Sequence, residues 1–184
     1  ELGAIAIRLP LPSGTLPTLW NAEERFLKSY LTTFPGYYET GDAGMIDEDG
    51  YVYIMARSDD VINVAGHRLS TGEMEEVIAA HPAIAECAVV GIKCDLKGQV
   101  PLGLVLLKDG IELDEAALQT ELVTSMRERI GAVASFKTAR VVQRLPKTRS
   151  GKILRKIIRQ IADGEAYVVP STIDDPASLG EIAV

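Results

Sequence analysis

Two apolar runs, Ala85–Ile92 (AECAVVGI) and Leu102–Leu107 (LGLVLL), decide how this chain is read. Each is near-continuous and short, which predicts two strands. Upstream, Ser70 and Glu73 stand in a capping-box spacing ahead of Met74, Val77 and Ile78, a helix that should stop at His81–Pro82. Downstream, Asp114 opens a helix in which Leu118, Leu122, Met126 and Ile130 recur along one face, with Gly131 closing it. Ala139–Val142 reads as a third strand. A last helix runs from about Lys152, with Ile153, Leu154, Ile157, Ile158 and Ile161 inward and Arg155, Lys156 and Arg159 outward. Residues 59–162 are thus expected to form a small α+β domain, a three-stranded sheet with packed helices.

Outside that unit the pattern changes. Residues 1–58 read mostly as β structure: Ala4–Leu9 as a strand, a short helix near 22–31 capped by Asn21, and a hairpin. The hairpin places Met45–Ile46 and Tyr51–Met55 around Asp47–Gly50. So few elements cannot close a core, and they are expected to be the last part of a larger N-terminal domain. Residues 163–184, with Pro170 and Pro176 and little periodicity, read as an extended tail.

Composition narrows the function. Of 184 residues 47% are hydrophobic, which excludes a disordered chain, and the net charge of −7 argues against nonspecific nucleic-acid binding. No apolar run approaches the roughly 20 residues of a membrane span. Glu1 stands where an initiator methionine would, so a piece of something longer is expected. The residues behind it lack the basic region of a secretory signal. Cys87 and Cys94 would lie about 23 Å apart along one strand at about 3.3 Å per residue, too far to bridge, so both are expected as reduced thiols.

Three segments carry more polar and glycine content than a core requires. In Tyr38–Asp42 (YETGD), the carboxylate after a Thr–Gly corner could accept bonds from the vicinal hydroxyls of a ribose; an Asx-turn suits the same residues. Arg57–Arg68 (RSDDVINVAGHR) brackets two acids and a glycine with arginines, whose donor forks suit phosphate, and Gly66 allows close approach to the backbone. Pro146–Lys152 (PKTRSGK) is a cationic loop that could bind an anion or form a solvated basic face. It lacks the upstream glycine of a phosphate-binding P-loop. No nucleophilic triad or zinc cage competes with these segments.

The run YYETGDAGMIDEDGYVYIMARSDDVINVAGHRLSTGEMEE (37–76), followed by LPKTRSGKILR (145–155), strongly resembles the adenylate-forming acyl-CoA synthetases, in particular the acetyl- and propionyl-CoA branch. KGQVPLGLVLLK (97–108) and VPSTIDDP (169–176) look more like the propionyl type. The resemblance implies an enzyme that joins a short-chain carboxylate to AMP with Mg-ATP and then passes the acyl group to CoA. It also implies a small C-terminal domain that swings between the half-reactions. It places Asp42 and Arg57 on the ribose, Arg68 on the nucleotide phosphate and the hinge at Asp59. Lys152 becomes the catalytic cation of adenylation, and Ala65, Gly66 and Arg127 contact CoA. The carbonyls of Ala79, His81 and Ile84 match a cation site. Ala56 replaces the glycine usual before the hinge-side arginine.

The resemblance further implies that an acyltransferase and a deacylase act on Lys152, and a cytoplasmic or mitochondrial-matrix location. The ATP-phosphate loop and acyl pocket of such enzymes lie outside these residues, so the chain alone is expected to be inactive. Two other readings stay open: an adenylation domain that loads a carrier protein, and a stand-alone CoA- or nucleotide-binding module.

Overall fold

A computed structural model describes residues 3–182. The chain divides into two compact units, residues 1–59 and 60–184. In the first, strands β1 (Gly3–Arg8), β2 (Tyr37–Ile46) and β3 (Val52–Arg57) form an antiparallel sheet in that order. Asp47 makes the β2–β3 turn: its carboxylate accepts from the amides of Asp49 and Tyr51 at 3.1 and 2.8 Å. Helix α1 (Glu23–Tyr30) buries Phe26, and the Tyr30 ring stacks on Tyr38 at 5.2 Å. Ala22, not Asn21, occupies the helix N-cap; Asn21 sits one residue earlier with φ of 49°. Val52 to Met55 are all exposed, an apolar strand with little packed on it.

The second unit is the α+β body, but its sheet has five strands rather than three. Strands β4 (Val61–Val64) and β5 (His67–Ser70) form a hairpin, followed by α2 (Thr71–Ala79), β6 (Ile84–Cys94) and β7 (Gly98–Leu107). After α3 (Glu115–Arg129) come β8 (Thr138–Val141) and α4 (Arg155–Ala162). The order is β5-β4-β7-β6, and β8 joins β7 in parallel. β4 meets β7 only through Val64 and Gly98, whereas β8 pairs with residues 102–105, so two short strands share one edge of a long one.

The sheet is packed on both faces, which is why β6 and β7 read as continuous apolar runs. Val89 and Val105 face α2 and α3 through Met74, Ile78, Leu118, Leu122 and Met126. Ala88, Val90, Leu102 and Leu104 face α4 through Ile158, joined by Val142, Leu145 and Ile182.

Asp114 caps α3, accepting from the amides of Ala116 and Ala117. Ser70 occupies the α2 N-cap without a side-chain capping bond, so the capping box is not formed. Helix α4 starts at Arg155, three residues later than expected, because 147–153 close a small hairpin first. Arg155 points into the unit, not outward: its guanidinium grips Glu75 at 2.7 and 2.9 Å, and Asp60 lies 3.9 Å away. Nor is the tail a loose extension, since Ile173, Leu179 and Ile182 are buried and 176–181 form a 3-10 turn.

Candidate functional site

The candidate residues gather in three places. In the first unit, Asp42 and Arg57 are cross-strand partners on β2 and β3. The guanidinium donates to the Asp42 carboxylate and to the Thr40 carbonyl, each at 3.3 Å. Thr40 holds the corner: its hydroxyl donates to the Ile5 carbonyl at 2.8 Å and accepts the Asp42 amide at 3.1 Å. Gly41 has φ of +76°, and a β-carbon there would lie 2.6 Å from an Arg57 guanidinium nitrogen. A side chain at 41 would push Arg57 off Asp42. The half-exposed carboxylate keeps acceptor capacity for hydroxyl donors while Arg57 fixes its direction.

The second place is the tip of the β4–β5 hairpin. Val64 pairs with His67, leaving the two-residue turn Ala65–Gly66, with φ of 50° and 87°. Positive φ at both central positions is the type I′ geometry that suits the twist of a tight hairpin. Arg68 lies on β5 opposite Asn63, exposed. The Ala65 amide donates to the Lys97 carbonyl at 2.8 Å, and the Lys97 ammonium donates to the Ser135 hydroxyl at 2.7 Å. Lys97 also lines a cavity of about 240 Å³ with Arg127, Lys137, Met126 and Phe136. Three cations around one cavity suit a ligand bearing several negative charges.

The third place is Lys152, exposed at the end of a hairpin that leads into α4. The Thr148 amide donates to the Lys152 carbonyl at 2.8 Å, and the Thr148 hydroxyl accepts the Lys152 amide at 3.1 Å. Lys152 precedes the first helical residue by three, so no helix terminus acts on it directly. The α3 and α4 faces are opposite sides of one sheet. Arg127 and Lys152 therefore belong to elements on opposite sides of the same unit.

The turn between α2 and β6 carries the Ala79, His81 and Ile84 carbonyls matched to a cation site. The His81 carbonyl accepts the Ile84 amide at 3.1 Å, and the Lys108 ammonium sits on the adjacent Pro82 carbonyl at 2.6 Å. The His81 ring is engaged with Glu121 at 2.9 Å. The matched donors at Ala79, His81 and Ile84 are neutral carbonyls, with both the Lys108 ammonium and the Glu121 carboxylate near the turn. Among the described residues no group of His, Cys, Asp and Glu is placed to hold a metal ion, and no helix is long and apolar enough to cross a membrane.

Lys97, Lys137 and Ser135 are not among the residues singled out from the sequence, and the arginine-bracketed segment 57–68 carries most of the hairpin formed by 61–70. For the hairpin a signal existed: Ala65–Gly66 stands where Asn–Gly is usual, between VINV and HRLS. For the two lysines there was none, because a lone lysine in a turn has no pattern.

Comparison with known proteins extends the picture. Residues 73–152 match the AMP-binding enzyme C-terminal domain. An uncharacterized protein of Pseudomonas aeruginosa is 64% identical over 98% of this chain and 29% of its own length. The mitochondrial acyl-CoA synthetase short-chain family member 3 of Homo sapiens is 50% identical over 98% of this chain and 26% of its own length. The chain thus spans less than a third of these relatives. Among solved structures, o-succinylbenzoate CoA synthetase of Bacillus subtilis, in complex with an acyl-adenylate, is similar with a TM-score of 0.64 and 29% identity. That alignment covers 85% of this chain and 30% of the other.

Proposed function

Because the chain belongs to the family of AMP-binding, adenylate-forming acyl-CoA synthetases, we propose that it forms part of a short-chain acid–thiol ligase. A carboxylate oxygen attacks the α-phosphorus of Mg-ATP and pyrophosphate leaves. The CoA thiolate then attacks the acyl carbonyl and AMP leaves. The observation that carries this reading is the placement of two cationic segments on opposite faces of one small sheet. A unit built so can offer Lys152 in one orientation and the Ala65–Gly66 turn with its cavity in another.

Asp42 accepts the ribose hydroxyls, braced by Arg57, and Arg68 meets the nucleotide phosphate. Lys152 steadies charge moving onto the phosphate oxygens, an effect of about 3 kcal/mol for one well-placed donor. Ala65 and Gly66 pass the pantetheine arm, and Arg127, with Lys97 and Lys137, takes the phosphate-bearing end of CoA. Asp59 acts as the hinge, a role supported by the division between units at 59 and 60. Magnesium enters with ATP, and no step is assigned to the α2–β6 turn. Propionate or acetate is the acid, and the 184 residues alone are inactive. The exposure of Lys152 also suits reversible acylation by an acyltransferase and a deacylase, in a cytoplasmic or matrix setting. Loading of a carrier protein is the alternative; the three-cation cavity favours CoA, whose nucleotide end bears several phosphate charges.

The test compares Lys152→Gln and Gly66→Leu in the complete enzyme. Pyrophosphate release from ATP with acetate or propionate is measured separately from CoA-ester formation from supplied acyl-AMP. Lys152→Gln should lose the first and keep the second, and Gly66→Leu the reverse. Parallel loss of both reactions in both variants would rule out the two-face division of labour.

A further inference from the structure

The geometry points to residues 171–174 of the tail as a third strand that positions Lys152, making Ile173 and Asp174 positioning residues for adenylation. This inference rests on the role proposed above for Lys152. Within the Lys152 hairpin one bridge joins Lys147 to Ile153, the Leu154 amide donates to the Pro146 carbonyl at 2.9 Å, the Thr148 bonds close the turn, and the Lys147 ammonium reaches Glu86 of β6 at 2.5 Å. An isolated hairpin so short is marginal in water. The tail adds an edge to it. Thr148 bridges Ile173, the Arg149 amide donates to the Thr172 carbonyl at 3.0 Å, and the Asp174 amide donates to the Lys147 carbonyl at 2.9 Å. The Arg149 guanidinium closes on the Ser171 carbonyl at 2.9 Å.

The added strand is itself pinned at Ile173 and on its C-terminal side. Ile173 and Leu179 are buried against Ile157 of α4, and Ile182 is buried with Val142, Leu145 and Ile158. Glu181 accepts the amides of Gln143 and Arg144 at 2.8 and 3.1 Å. The Arg144 guanidinium binds Glu181 and Asp175. The backbone of the lysine hairpin is therefore referenced to α4 and to the segment after β8 through residues twenty or more positions later. A cation acting on a transferring group must be held to about 0.5 Å, and the tail supplies that constraint while leaving the lysine side chain in solvent.

The experiment uses the complete enzyme carrying Ile173→Ala or Asp174→Pro; the second removes one amide donor without touching the core. Ile173→Val serves as the conservative control, and melting temperature checks the global fold. Tryptic cleavage after Arg149 and Lys152 should quicken by about tenfold or more. Pyrophosphate release should fall by about tenfold to a hundredfold while ester formation from acyl-AMP is kept; Ile173→Val should restore both readouts. Unchanged cleavage in both variants would overturn the clamp. Faster cleavage with unchanged pyrophosphate release would overturn its positioning role. A Lys152→Gln enzyme with normal pyrophosphate release would instead overturn the underlying role of the lysine, with cleavage still deciding the clamp.

Discussion

The amide of Ala65 donates to the carbonyl of Lys97 at 2.8 Å, so the tip of one hairpin is carried on the turn of the next. The same lysine reaches Ser135 across the cavity. Lys97 thus joins the proposed pantetheine passage to the proposed nucleotide cavity. In the complete enzyme, Lys97→Met should raise the KM for CoA by about tenfold and leave that for ATP unchanged. Steady-state kinetics with each substrate varied would check this, and an equal rise for both would count against the assignment.

Ala65 holds a left-handed conformation that costs a non-glycine residue about 1–2 kcal/mol. Asparagine tolerates that geometry at the first position of a type I′ turn. Ala65→Asn should therefore stabilise by about 1 kcal/mol, and Gly66→Val should destabilise by at least as much. Urea denaturation of the three proteins gives both signs.

At the Asp42 corner the sensitive position is neither charged residue. Gly41→Ala places a methyl group 2.6 Å from the Arg57 guanidinium, at a φ that alanine resists. Arg57 must move, and the carboxylate loses its brace. The expected result is a rise in KM for ATP of about tenfold, with CoA affinity kept.

Arg155 and Glu75 form an ion pair in the second unit, 26% and 17% exposed, with Glu75 also accepting the Val89 amide at 2.8 Å. Arg155→Met strands a carboxylate that is mostly buried, a loss of about 2 kcal/mol, below the fully buried figure because water reaches the pair. Glu75→Gln keeps an acceptor for Val89 and should cost less. Chemical denaturation would order the variants, and the reverse order would mean that the stranded carboxylate costs less than the charge lost from Glu75.

Burial, and then the neighbouring Glu75, push the Cys87 thiol up to about 11. In a Cys94→Ser background, alkylation of Cys87 should stay slow through pH 9 and climb toward pH 11. The linkage has the matching sign. An unfolded thiol ionises near the ordinary value of 9.0 and the folded one does not, so stability declines from pH 9 to about 11. A mass-spectrometric pH–rate profile tests the first statement, and denaturation midpoints across that range test the second.

What could be read along the chain was whatever completes itself within a few residues. Asp47 to Gly50 announced the β2–β3 turn because its carboxylate bonds amides two and four positions on. Asp114 announced α3 for the same reason. The hairpin of 61–70 is hard to read along the chain because its alternation is short and its turn carries alanine where asparagine is usual. Arg155 was misread because its helix position faces outward by period, while its partner Glu75 lies eighty residues earlier.

The sequence by itself determined the α+β class, the two core strands, and the order of the three polar segments. Tertiary structure alone decided that β4 and β8 share one edge of β7, which makes five strands of an expected three. It also decided that Lys97, Arg127 and Lys137 line one cavity, and that the tail completes the hairpin of Lys152. The physical reason is range. Periodicity, caps and turns are satisfied by neighbours along the chain, whereas edge pairing and cavity walls are chosen by packing among segments tens of residues apart.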